Sequence, residues 1–128
     1  MKTDYEVMAE AIDMIRDIDN WCQGANSIEY RHRSSQFCAI GALTVAVEAT
    51  ARTVKQRLLC SPQLGRLQAM VETEIALQGY VHSLPEFNDR GWIPGLLGIR
   101  RPRGAEKIHA EVIQVMEKAA AKLAEAGQ

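Results

Sequence analysis

The residues of this chain with chemistry to offer fall in three short clusters: Trp21-Cys22-Gln23-Gly24, Phe37-Cys38-Ala39-Ile40-Gly41-Ala42-Leu43 and Phe87-Asn88-Asp89. Cys38 stands near the predicted start of a helix, where unbonded N–H groups and the positive end of the helix dipole lower a thiol pKa and favour thiolate. That is the setting of a cysteine nucleophile, with His32, His82 or His109 as candidate base and Asn88 or Asp89 as the orienting group. The competing reading is a small apolar residue packed between helices, and the flanking Phe37 and Ala39 favour it. None of the histidines stands in a recognised catalytic signature.

Asn88-Asp89 divides the same way. Asn and Asp accept hydrogen bonds from nearby backbone N–H groups and hold turns, which is the favoured role here. The functional role would place Asp89 as acid, base or ligand beside Gln23 and Asn26. A zinc site built on Cys22 and Cys38 is not expected, because structural zinc draws on close cysteine pairs and fifteen residues separate these two. If their helices cross near the signature ends, oxidation would link them. No motif implies a cofactor.

The strongest candidate for binding is Trp92-Ile93-Pro94-Gly95-Leu96-Leu97-Gly98-Ile99-Arg100-Arg101. Aromatic and aliphatic anchors beside arginine are the mix that dominates interaction hot spots, so Trp92, Ile93, Leu96, Leu97, Arg100 and Arg101 are the expected partner-binding residues. The alternative is a lid that folds back over the helices and covers the core. The run is short and lacks helical amphipathicity, which disfavours an interfacial membrane contact.

These residues must be positioned by helices. Thr3-x-x-Glu6 is a capping box, and the stripe Tyr5, Met8, Ile12, Ile15 and Cys22, broadened by Ile18 and Trp21, predicts an amphipathic helix ending near Gly24. Residues 25–35 read as a polar connection. From Phe37 to Ala51 the chain is apolar on every side, and a helix of that kind must be surrounded, so it is the expected central helix. The reading continues it to Cys60, with Arg52, Lys55 and Arg57 outward, and starts a third helix at Ser61-Pro62 that ends at Gly79. A last helix begins near Ala105 with Ile108, Val112, Val115, Met116, Ala119 and Leu123 on one face. Between Val81 and Gly104 lies a long Gly/Pro-rich connection, with room for one short helical turn.

The expected fold is therefore all-α, a single domain over 1–128 of about four helices packed round the central one. With 128 residues and 47% hydrophobic content, such a chain folds without metal or disulfide. Its three cysteines and the acidic start without a charged-then-apolar leader predict a reducing cytoplasm. The longest apolar run, Phe37 to Ala51, contains Glu48 and falls short of the roughly 18 residues of a membrane span. A net charge of −1 excludes a globally basic nucleic-acid binder. It conceals an acidic start (Asp4, Glu6, Glu10, Asp13, Asp17, Asp19) and a basic stretch (Arg90, Arg100, Arg101, Arg103, Lys107), read first as solvated faces of opposite sign.

The order of the three clusters, followed by a helix containing Glu111-Val112, resembles an uncharacterised family of small proteins of bacteria and their phages. Its members carry Trp-Cys-Gln-Gly-Ala, Cys-Ala-Leu-Gly-Ala-Leu and Trp-Asn-Asp elements. Here Phe87 replaces the tryptophan, and residues 90–104 intervene before the last helix. The resemblance implies a helical fold and assigns no activity. The function expected is a non-enzymatic binding or regulatory protein, phage- or mobile-element-encoded, engaging a protein partner or itself through residues 90–103. The alternative is a small thiol-dependent enzyme or ligand-binding domain centred on Cys38, Asn88 and Asp89. A third class is nucleic-acid binding through Arg31, Arg33, Arg100, Arg101 and Arg103.

Overall fold

A computed structural model describes residues 2–24, 27–28, 36–92 and 104–128. The architecture is all-α: α1 (Asp4–Ile15), α2 (Ala39–Glu48), α3 (Val54–Leu77), α4 (Leu84–Asn88) and α5 (Ala105–Glu125). The two-residue strands β1 (Ser27–Ile28) and β2 (Gln36–Phe37) pair antiparallel, with Ser27 opposite Phe37. No helix among the described residues is long and apolar enough to cross a membrane.

α1 begins as the sequence predicts, with the Thr3 hydroxyl accepting from the Glu6 N–H and the Glu6 carboxylate accepting from the Thr3 N–H, both at 3.1 Å. It does not run to Gly24. Asp17 leaves the helical region (ψ 125°) and accepts from the Asp19 N–H at 2.9 Å, which caps a separate 3-10 turn at Ile18–Asn20. A short acid that bonds its own neighbouring backbone competes with the helix, and here it wins. Trp21 and Cys22 consequently enter the core on extended chain, 3% and 5% exposed, rather than as part of a helical stripe.

α2 lies at the centre, against α1, α3 and α4. Ala39, Ala42, Leu43 and Ala46 are fully buried, Val47 nearly so and Ile40 half so, while Val45 reaches the surface. Its alanines recur at i, i+3 and i+7, and their small side chains let α1 approach closely.

The largest departure from expectation is the next boundary. α2 stops at Glu48, and α3 starts at Val54, where the Thr53 hydroxyl accepts from the Gln56 N–H at 3.1 Å. Ser61-Pro62 starts nothing: α3 passes through Pro62 to Leu77. Proline there removes the hydrogen bond to the Leu58 carbonyl. Residues 52–59 are exposed along their whole length, so the loss falls on a solvent-facing turn, and the helix continues through it.

The short turn expected in the long connection is α4, opened by a second capping box between Ser83 and Glu86. α5 starts at Ala105 after a left-handed Gly104 and buries Val112, Val115, Met116, Ala119 and Leu123 against α1 and α3. Glu74, 4% exposed, is paired with Lys122 of α5, which ties α3 to the last helix.

Candidate functional site

The three clusters meet at one junction, between the extended chain after α1, the start of α2 and the end of α4. Trp21 forms a parallel bridge with Phe37, and the Cys22 N–H donates to the Phe37 carbonyl at 3.1 Å. This register sets Cys22 beside Cys38. The Cys38 backbone is extended (ψ 172°), and its Sγ accepts from the Gly41 N–H at 3.3 Å, so the thiol itself caps α2.

Asn88 closes the junction. It is 0% exposed, and its amide is saturated. Oδ1 accepts from Trp21 Nε1 at 2.7 Å and from the Ala39 N–H at 3.0 Å. Nδ2 donates to the Cys22 carbonyl at 3.1 Å and to Asp89 Oδ1 at 2.9 Å. Two lone pairs and two N–H groups are all that an amide has. One side chain thus touches all three clusters.

The neighbours repeat the pattern. Gln23 Nε2 donates to the carbonyls of Asn88 at 2.9 Å and Arg90 at 2.8 Å. Asp89 Oδ1 accepts from the Gly24 N–H at 3.0 Å, and the Asp89 carbonyl accepts from the Trp92 N–H at 3.0 Å. Gly24 has φ +78°, and a Cβ there would stand 2.3 Å from Trp92 Cε2. Glycine is needed at this position twice over, for the backbone angle and for the indole that lies on it. Two buried atoms of the junction, Gln23 Oε1 and Trp92 Nε1, have no hydrogen-bond partner among the described residues.

Burial governs the thiols. It pushes Cys22 up to about 12, reinforced by the neighbouring Cys38 and Asp89. Burial also raises Cys38, outweighing the lowering by the N–H groups of Gly41 and Ile40, and Asp89 adds to the rise. The helix-start effect expected from the sequence exists, but desolvation exceeds it. At neutral pH both thiols are protonated.

Of the histidines, His109 is buried, with Nε2 2.6 Å from the Ile15 carbonyl and its ring 5.3 Å from that of Trp21. His82 sits beside Tyr80, ring centres 5.8 Å apart, with a buried Nδ1 that has no partner among the described residues. His32 lies outside the described residues, as does Asn26. No group of three His, Cys, Asp or Glu side chains able to hold a metal ion occurs among the described residues.

Of the expected binding residues, only Trp92 is described, half-buried against Gly24; Ile93, Leu96, Leu97, Arg100 and Arg101 lie outside the described residues. Arg90, counted from the sequence in the basic stretch, is an internal strut. Its Nε donates to the Phe87 carbonyl at 2.9 Å and its Nη2 to Glu111 at 3.1 Å. The guanidinium lies 3.7 Å over the Phe87 ring and 4.7 Å over that of Tyr80. Sequence reasoning missed this cluster, because Tyr80, Arg90 and Glu111 are 10 to 31 positions apart and no local pattern links them.

A family model matches residues 1–122. The chain belongs to DUF6197, a family of unknown function. The match takes in all three signatures and most of α5, so this DUF6197 chain carries the whole junction inside the family region. No curated protein and no solved structure matches the DUF6197 chain.

Proposed function

We propose that this DUF6197 protein is a non-enzymatic binding or regulatory protein, phage- or mobile-element-encoded, that engages a protein partner or itself through residues 90–103. The observation that carries the reading is the saturation of Asn88, whose four hydrogen bonds all go to the chain's own clusters. Cys22 and Cys38 are buried with raised pKa values, and Arg90 is consumed as a strut. A junction spent this way serves as a mount. Trp92 is fixed on Gly24 at the edge of that mount, and the sequence beyond it supplies aliphatic and arginine anchors in the proportions of a hot spot.

The test compares the full chain with Leu96→Ala/Leu97→Ala and Arg100→Glu/Arg101→Glu by quantitative co-purification from host lysate. A partner depleted at least about tenfold in both variants, with ellipticity at 222 nm unchanged, is the expected result. Retention of the same partner by both variants refutes it. Loss of helicity would assign the segment to the core.

One observation favours the thiol-enzyme or ligand-binding reading: Cys38, Asn88 and Asp89 are neighbours, and beside them the buried Gln23 Oε1 and Trp92 Nε1 have no hydrogen-bond partner among the described residues. Native-state labelling of Cys38 faster than that of the more exposed Cys60 would support it.

A further inference from the structure

Among the described residues nothing covers the outward face of α3. Val54, Leu58, Pro62, Gly65, Ala69 and Ala76 follow one another at intervals of three, four or seven and are all exposed, Val54 at 71% and Leu58 at 67%. They form a stripe opposite the buried stripe of Leu67, Val71 and Ile75, with Glu72 the one charged residue on its line, between Ala69 and Ala76. Gly65 stands near its middle. Its backbone is helical, and a Cβ added there would meet nothing within 4 Å. Glycine is a poor helix former, and among the described residues nothing approaches closely enough to require it.

The charges along α3 decide what fits. From Ala49 to Val71 the chain has Arg52, Lys55, Arg57 and Arg66 and no acid; from Glu72 to Leu77 it has Glu72 and Glu74 and no base. Arg66 is held by Asp4 at 3.0 Å and Glu74 by Lys122. Arg57 has no ion-pair partner among the described residues, and Glu72 uses only Oε2, on the Leu84 N–H and Gln68. Arg57 and Glu72 are fifteen positions apart, which on a helix is about 22 Å along the axis and about 60° around it. Glu72 therefore lies on one edge of the stripe near its C-terminal end, Arg57 about 60° beyond the same edge near the N-terminal end, and their midpoint falls between Leu64 and Gly65.

We infer that this face binds a second copy of the chain, with the two α3 helices antiparallel about a two-fold axis near Gly65. Antiparallel pairing sets Arg57 of one copy against Glu72 of the other, twice, and lays each stripe on its equal. Gly65 meets its counterpart at the crossing, where the absent side chain permits close approach. A parallel pair would instead oppose like charges at both ends. The inference rests on α3 alone and is independent of any role for residues 90–103.

Sedimentation equilibrium of the full chain from about 5 to about 500 μM tests it. The expected mass rises toward twice the 14.2 kDa of one chain. Gly65→Leu, whose added side chain points into open space in the monomer, should abolish the heavier species and keep the helicity. Gly65→Cys in a Cys60→Ser background should cross-link on mild oxidation much faster than Thr73→Cys, an exposed position about 26 Å from its own counterpart in this geometry. A mass of 14.2 kDa at every concentration, a dimer indifferent to Gly65→Leu, or equal cross-linking at 65 and 73 overturns the inference.

Discussion

Replacing Asn88 by alanine should cost this protein more than any other single polar change among its described residues. The substitution leaves the Trp21 indole N–H, the Ala39 N–H and the Cys22 carbonyl without their partner, and Asn88 is 0% exposed, so water does not reach them without local opening. Each buried group left unsatisfied costs about 1–3 kcal/mol, and partial relaxation brings the sum to about 4 kcal/mol. That is a large share of the roughly 5–15 kcal/mol that holds a domain together. Urea denaturation followed at 222 nm reads it directly. With a slope of about 2 kcal/mol per molar urea, the midpoint should fall by about 2 M. Asp13→Ala, at a carboxylate 76% exposed, should shift it by less than about 0.3 M. An Asn88→Ala midpoint within about 0.5 M of the parent would refute the view that the amide ties the clusters together.

Gly24→Ala should destabilise by about 2 kcal/mol or more, from a left-handed backbone and a collision with Trp92. In the cycle with Trp92→Leu the two penalties should be strongly less than additive, whereas additivity would separate glycine from indole. Because Cys22 is raised from about 9 to about 12 in the folded state, the folded protein holds its proton longer than the unfolded chain. The stability this supplies is complete below pH 9 and is lost as pH climbs from 9 toward 12, so the urea midpoint should decline over that window and decline less in Cys22→Ala. Pro62→Ala should raise the melting temperature, since it restores the hydrogen bond to the Leu58 carbonyl in a helix already formed there; a lower melting temperature would mean that α3 does not pass through residue 62.

Much of the architecture is written locally. The capping boxes Thr3-x-x-Glu6 and Ser83-x-x-Glu86, the uniform apolarity from Cys38 onward and the face of α5 are short-range patterns with direct physical causes. The ends of helices were harder to read. Asp17 ended α1 by bonding its own neighbour, and Ser61-Pro62 carries a start signal that an already exposed helix overrides. Thr53-x-x-Gln56 was the signal for the true start of α3. The site was readable as three clusters but not as one junction, because the bonds of Asn88 to Trp21, Cys22 and Ala39 span 49 to 67 positions of chain. The raised thiol pKa values could not be read at all. They depend on how completely Cys22 and Cys38 are enclosed, which spacing does not encode.

The three signatures form one closed hydrogen-bonded junction, and proton exchange reads that closure at its own N–H groups. In deuterated buffer, the Trp21 indole N–H and the backbone N–H groups of Ala39 and Gly24 should exchange only through global unfolding, with opening free energies equal to the stability from denaturation. Exchange of the Trp21 indole proton at the rate of an exposed indole, in a protein still folded, would contradict it.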